Sequence, residues 1–188
     1  MQLRIIREEK GNLVNKMLKE LIIKEIKLNG FTKEFVEEQK ISKLVEKKGK
    51  KYFIKPNIRK KVKVVLTGGV FDIIHLGHVK TLCKAKQYGD LLVVVVANDS
   101  FIKKKGREPI HSQKERVELV NSLKCVDLAI KGYKDPKRTV KRVKPHAIVY
   151  GYDQPVFLKP KGIKIIKLKK HYMPSRLKTG KIIKKLLY

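Results

Sequence analysis

Cysteine is scarce in this chain: Cys83 and Cys125 are the two present among 188 residues. Both lie inside apolar stretches, which predicts buried free thiols rather than a disulfide, and no spacing suggests a zinc site. Long hydrophobic runs are missing too. No stretch reaches the roughly 18 apolar residues of a membrane-spanning helix. The opening MQLRIIREEKGN has no apolar segment of the kind a secretion signal needs, so a soluble cytoplasmic protein is expected. No internal repeat or low-complexity segment occurs. Acidic residues are few, 17 against 47 lysines and arginines, for a formal charge of +30. None follows Asp153, whereas eleven basic residues do. Such a surface favours anionic partners: nucleotides, phosphorylated metabolites, nucleic acid or acidic lipid. A lysine-rich chain poor in Gln and Cys also fits a thermophilic protein.

What is present begins with a hydrophobic fraction of 42%, enough for a packed core. From about residue 62 the pattern alternates strand and helix. VKVVLT (62–67) and LLVVVVA (91–97) are continuous apolar runs, as expected of parallel strands buried on both faces. Between them, residues 76–89 have helical periodicity and reach Gly89, which reads as a C-cap. SQKERVELVNSL (112–123) opens on a serine with Glu115 placed for a capping box. CVDLAI, a short helix over 136–143, HAIVYG (146–151) and IKIIKL (163–168) follow, and GKIIKKLL (180–187) reads as a terminal helix. Five strands with intervening helices predict a Rossmann-like, doubly wound α/β domain over residues 61–188, built on a five-stranded parallel sheet.

Residues 1–60 read differently. An amphipathic helix (13–28) stops at Asn29-Gly30, a second starts on Thr32, and KLVEKKGKKYFIKP turns at Gly49 into a strand. Helices followed by a basic hairpin predict an abbreviated winged-helix module, which would bind nucleic acid. A packing or dimerisation extension is the alternative.

The stretch GGVFDIIHLGH (68–78) joins the first strand to the first helix of the α/β domain. Ligands bind at the carboxyl ends of strands in such sheets, and a helix N-terminus there attracts phosphate. Gly68 and Gly69 would let backbone approach phosphate oxygens without a Cβ in the way. His75 and His78, three residues apart, put both rings on one side of a first helical turn, and Gly77 leaves room between them. Two imidazoles so placed can donate hydrogen bonds to a phosphoryl group as it gains charge. A metal pair would want a third ligand, and Asp72 is the only close one.

The string Gly69-Val70-Phe71-Asp72-Ile73-Ile74-His75-Leu76-Gly77-His78 resembles the G-[T/V]-F-D-x-x-H-x-G-H signature of the cytidylyltransferase-like nucleotidyltransferases. The resemblance extends over roughly residues 62–188. It implies that Gly69, Val70, Phe71, His75, Leu76, Gly77 and His78 bind nucleotide, with both histidines and Lys105 catalytic. VANDSFIKKKGREPI resembles a segment that binds phosphates, through Asp99, Lys105 and Arg107. ERVELVNSLKCVD is similar to the family's R-x7-[R/K]-x-V-D pattern, which implies phosphate or substrate contacts for Arg116 and Lys124. YGYDQ resembles a nucleotide-contacting element and points to Asp153. The last family motif, a hydroxyl cluster, survives as Thr179 followed by Gly180 and Lys181. No protein metal ligand is implied. Mg²⁺ would arrive with the NTP, and subunits of the family commonly pair. Within it, the chain looks most like archaeal FAD synthases, which move AMP from ATP to FMN. Glycerol-3-phosphate cytidylyltransferases, which use CTP, share the scaffold. A nucleic-acid-binding protein on a disused scaffold is the third reading.

Overall fold

In the computed structural model, which describes residues 2–103, 106, 108–169 and 182, the β-branched runs become the buried centre of a parallel sheet. The described residues divide into two compact units, Met1–Val62 and Lys63–Tyr188.

The second unit opens with strand β3 (Val64–Gly69), followed by α4 (Leu76–Lys86), β4 (Leu91–Val96), α5 (Ser100–Lys103), α6 (Gln113–Asn121), β5 (Leu128–Lys131), α7 (Pro136–Val143), β6 (Ala147–Tyr150) and β7 (Lys164–Lys167). The five strands lie in the order β5-β4-β3-β6-β7, and every pairing is parallel. The chain moves outward from β3 to β5 and then crosses back to β6. The strand order therefore reverses beside β3, where open α/β sheets bind ligands. Alternate residues face opposite layers. Val65, Leu92, Val94, Val96, Ala129 and Val149 pack with Leu82 and Ala85 of α4 and Val120 of α6 in one core. Leu66, Val95, Ile148 and Tyr150 face the layer that holds α7.

Local signals hold where they are self-contained. Ser112 accepts from the Glu115 N–H at 3.3 Å while the Glu115 carboxylate accepts from the Ser112 N–H at 2.7 Å, closing the expected capping box. Helix α7 covers residues 136–143 as expected, with Asp135 as its cap. Two expectations fail. Gly89 is no helix cap, since α4 ends at Lys86 with Gln87 as a right-handed C-cap. A Cβ at Gly89 would stand 2.5 Å from the Lys63 carbonyl oxygen, so the glycine lets the helix exit pass the start of β3. Nor are the cysteines free: Cys83 of α4 and Cys125, between α6 and β5, are joined in a disulfide with a Cα separation of 5.0 Å. Folding α4 and the α6–β5 connection onto the same core brings together thiols that are 42 residues apart in sequence. The terminal helix expected over 180–187 lies outside the described residues apart from Ile182.

The first unit contains α1 (Gln2–Leu28), α2 (Lys33–Glu38), a 3-10 turn (Ser42–Leu44), a hairpin of β1 (Val45–Lys48) and β2 (Lys51–Ile54), and the short α3 (Pro56–Arg59). Leu18, Ile22 and Ile26 bury one face of α1, and Asn29 and Gly30 end it with positive φ of 52° and 93°. On the same face the buried Glu25 carboxylate accepts from Arg59 Nη1 at 2.8 Å and from the Ile54 N–H at 2.6 Å. This ties the long helix to the hairpin and α3. Phe31 bridges Tyr52 antiparallel, which adds a one-residue third strand. Between α2 and the hairpin the described residues hold a three-residue 3-10 turn and no third full helix. No described helix is long and apolar enough to cross a membrane.

The disulfide yields a stability prediction. A cross-link closing about 42 residues stabilises by about 4 kcal/mol in the chain-entropy picture. Equilibrium unfolding should show a loss of that order on adding reductant, and Cys83→Ser should match the reduced wild type. Equal midpoints with and without reductant would show that the bond does not constrain the unfolded chain.

Candidate active site

Strand β3 ends in Gly68-Gly69, and the turn that follows is shaped by one side chain. Phe71 is buried and takes a positive φ of 55°, a conformation unusual for an aromatic residue. Its ring lies over Gly69, where a Cβ would meet Phe71 Cζ at 2.7 Å. The glycine is thus required by the ring on top of it, a reason additional to backbone approach by a ligand.

His75 is the N-cap residue of α4, with extended φ and ψ of −139° and 168°. His78 lies one turn on, and the two imidazoles stack with centroids 3.9 Å apart and planes 20° apart. The Phe71 ring meets His78 edge-on at 5.2 Å. Gly77 between them is buried, and Leu76 is exposed. The sequence spacing therefore does put both rings on one side of the helix start. Burial, reinforced by the adjacent His75, pushes the His78 pKa from its ordinary 6.5 down to about 4, and the charge of Asp153 opposes the shift. Asp153 itself is exposed, in the turn after β6. At neutral pH His78 is a neutral imidazole, with one N–H to donate and one nitrogen to accept.

Behind the turn lies a polar framework that the sequence did not display. Asp72 is 1% exposed, and its Oδ1 accepts from the backbone N–H groups of Ile110 and His111 at 3.0 and 3.2 Å. The His111 ring, through Nδ1, lies 2.9 Å from the Asp72 carbonyl oxygen. Arg116 is 0% exposed. Its Nε donates to the His111 carbonyl at 3.0 Å, Nη2 to the Ala97 carbonyl at 2.9 Å and to Asp99, and Nη1 to the Val70 carbonyl. Arg116 and Asp99, expected at a phosphate, are thus occupied with each other and with three carbonyls that anchor the loops after β3 and β4. His111 was not singled out by sequence. Its only signal was its place beside the Ser112 helix cap, which does not announce a partner 39 residues away.

Lys124 is a second correction. It lies exposed between α6 and β5, where the Asp127 N–H donates to Leu92 O and Asp127 pairs with Lys86. That is the amino-terminal end of the strands, opposite the histidine turn, so the fold does not bring Lys124 to the site. Lys105, Arg107 and Thr179 lie outside the described residues. Among the described residues, no group of three or more His, Cys, Asp or Glu side chains could hold a metal ion.

The His78 environment makes a pH prediction. A histidine with a folded pKa below its unfolded value favours the fold above the unfolded pKa, and this is lost as the pH falls towards the folded one. Stability should therefore decline from pH 6.5 to about 4 on account of His78. Heteronuclear NMR should record its midpoint near 4 in the free chain, moving upward when a nucleoside triphosphate adds negative charge. A midpoint near 6.5 without nucleotide would contradict the buried, stacked placement.

Comparison with known proteins agrees with this geometry. A model of the cytidylyltransferase-like family matches residues 66–184. The FAD synthase of Thermococcus sibiricus is 41% identical over 143 residues, which cover 69% of this chain and 95% of that protein. The FAD synthase of Pyrococcus abyssi is 40% identical over 136 residues, 65% of this chain and 90% of that one. A shorter match, 91 residues at 52% identity, spans 48% of this chain and 64% of the FAD synthase of Thermoplasma acidophilum. A solved structure, a lipopolysaccharide core biosynthesis protein from Thermoplasma volcanium, superimposes with a TM-score of 0.55 at 41% identity, over 59% of this chain and 98% of that one. The family model covers more than half of the chain, and its first matched strand leads into the stacked histidines: the chain belongs to the cytidylyltransferase-like family and is a nucleotidyltransferase.

Proposed function

We propose that the chain transfers AMP from ATP to FMN, forming FAD and releasing pyrophosphate. The observation that carries this reading is the stacked His75–His78 pair at the start of α4, beside the reversal in strand order. A phosphate monoester is already an adequate nucleophile, so no covalent enzyme intermediate is needed. A phosphate oxygen of FMN attacks the α-phosphorus of ATP in line. The new P–O bond forms as the bond to the bridging oxygen breaks, and the electron pair leaves with pyrophosphate. His75 and His78 donate N–H groups to the α-phosphate and the bridging oxygen as charge builds there. The N-terminus of α4 adds its dipole. Lys105, Arg107 and Thr179 are assigned to phosphates by family pattern.

Among the described residues, no three carboxylate, histidine or cysteine side chains gather into a cage for Mg²⁺. Asp72 is committed to two N–H groups and Asp99 to Arg116, which leaves Asp153 exposed near His78. The ion fits as a companion of the NTP, bound by phosphate oxygens and water. Glycerol-3-phosphate with CTP is the alternative substrate pair on the same scaffold.

For the first unit we favour a contact module, either packing or dimerising, over a nucleic-acid grip. Lys51 Nζ donates to the Leu28 and Asn29 carbonyls and Lys55 Nζ to that of Lys43, while Lys48 pairs with Glu46. Lys48 and Lys51 of the hairpin and Lys55 just after it are thereby engaged within the unit. Leu13, Val14 and Met17 are exposed on α1.

Two experiments test this. ATP or CTP is mixed with FMN or glycerol 3-phosphate and Mg²⁺, and products are separated by chromatography. FAD from ATP is expected, with kcat about 10²–10³ lower for His75→Ala or His78→Ala. CDP-glycerol without FAD would transfer the assignment to the alternative. A chain beginning near Lys60 should keep kcat within a few-fold while losing any self-association of the full chain. A folded but inactive truncation would show that the first unit contributes to the reaction.

A further inference from the structure

The turn after β6 is held more firmly than a short surface loop needs to be. It consists of Gly151, Tyr152, Asp153 and Gln154. The Gln154 N–H donates to the Gly151 carbonyl at 3.1 Å, and the Gly151 N–H donates to Gln154 Oε1 at 2.9 Å. Gln154 Nε2 reaches across to the Gly68 carbonyl at the end of β3, 2.7 Å away. Two further bonds come from outside the turn, both from one lysine. Lys167 ends the edge strand β7 and pairs in register with Tyr150, the last residue of β6. Its ammonium donates to the Gly151 carbonyl at 2.7 Å and to the Gln154 carbonyl.

A lysine on an edge strand ordinarily extends its ammonium into water. Lys167 is exposed along its length, yet its charged end folds back onto the two ends of the turn. Bonds from a charged donor are stronger than neutral ones, and two carbonyls that converge on one ammonium fix the distance between Gly151 and Gln154. The Asp153 carboxylate serves none of these bonds. It stays exposed at the middle of the braced turn, and its charge acts on His78 against burial and the neighbouring His75.

We infer that Lys167 is a positioning residue for nucleotidyl transfer, its ammonium holding the turn that keeps the Asp153 carboxylate beside the histidine pair. The inference rests on the adenylyl-transfer reading above and adds a group that the sequence pattern did not single out. An ionised carboxylate accepts hydrogen bonds and donates none, and it repels phosphate. Held next to the imidazoles, it favours a nucleotide that turns a hydroxyl or amine towards it and its phosphates towards the start of α4. Lys167 touches no reacting atom in this role. It acts through the turn.

The test is a double-mutant cycle in the full chain. Lys167→Met keeps the stem and removes the ammonium; it is compared with Asp153→Asn, with the double variant, and with Lys164→Met on the same strand as a control. ATP binding is followed by calorimetry, turnover by pyrophosphate release, folding by circular dichroism and melting temperature, and the His78 ring by heteronuclear NMR at neutral pH. Lys167→Met should fold and should weaken ATP binding and raise KM about three- to tenfold, the scale of one hydrogen bond, with a smaller change in kcat. The His78 signals should move in the same direction as in Asp153→Asn. The double variant should be no weaker than Asp153→Asn alone, because a lysine that acts through the turn then has nothing left to hold in place. Lys164→Met should match the wild type. If Lys167→Met lowers the melting temperature but leaves ATP binding and the His78 signals unchanged, Lys167 serves the fold alone and the inference is overturned. Losses that add in the double variant overturn it too, since they make Lys167 an independent contact. A wild type that binds CTP and not ATP removes the adenylyl reading, and the same cycle read with CTP still decides the role of Lys167.

Discussion

One buried guanidinium holds the catalytic end of the sheet together. Arg116 rises from α6 into a position without solvent, and its donors reach Val70 after β3, Ala97 after β4, His111 before α6, and Asp99. A buried charge is tolerated only when a partner and several hydrogen bonds replace its water, and here Asp99 and three carbonyls do so. Fixing the Val70 carbonyl fixes the backbone entering Phe71, whose left-handed conformation lays its ring over Gly69 and against His78. Asp72 pulls the Ile110–His111 segment against the same turn. The stacked histidines therefore stand on a turn clamped from behind.

The two glycines ending β3 face opposite layers, and each serves a different need. Gly69 faces α4, where the Phe71 ring would collide with a side chain. Gly68 faces α7 and lines an apolar cavity. One strand end thus has the histidine turn on one side and this apolar cavity on the other. The Gln154 side chain reinforces this junction, donating from Nε2 to the Gly68 carbonyl at 2.7 Å and accepting from the Gly151 N–H.

What could be read directly were features whose cause lies within a few residues. The strands follow from apolar runs such as 91–96, the α6 capping box from Ser112 and Glu115, and the end of α1 from Asn29-Gly30. The histidine pair was legible for the same reason, since a three-residue offset on a helix fixes relative direction. Gly89 misled because a glycine near a helix end has two physical explanations, a left-handed cap or a close backbone approach. Only the position of Lys63 decides between them. Lys124 misled because a motif places a residue in sequence but does not say which end of a strand it precedes.

The sequence by itself determined the kind of layers, the order of the elements, the side-by-side placing of the two imidazoles and the excess of basic charge, because periodicity, capping and charge are local or summed properties. Tertiary structure alone decided that Arg116 is a brace, that Cys83 meets Cys125 and that His111 latches Asp72. Each of these depends on residues brought together by a parallel sheet, whose crossovers join segments tens of positions apart. No periodicity records such distances. They follow from strand order, which is settled only when the two faces of the sheet are packed.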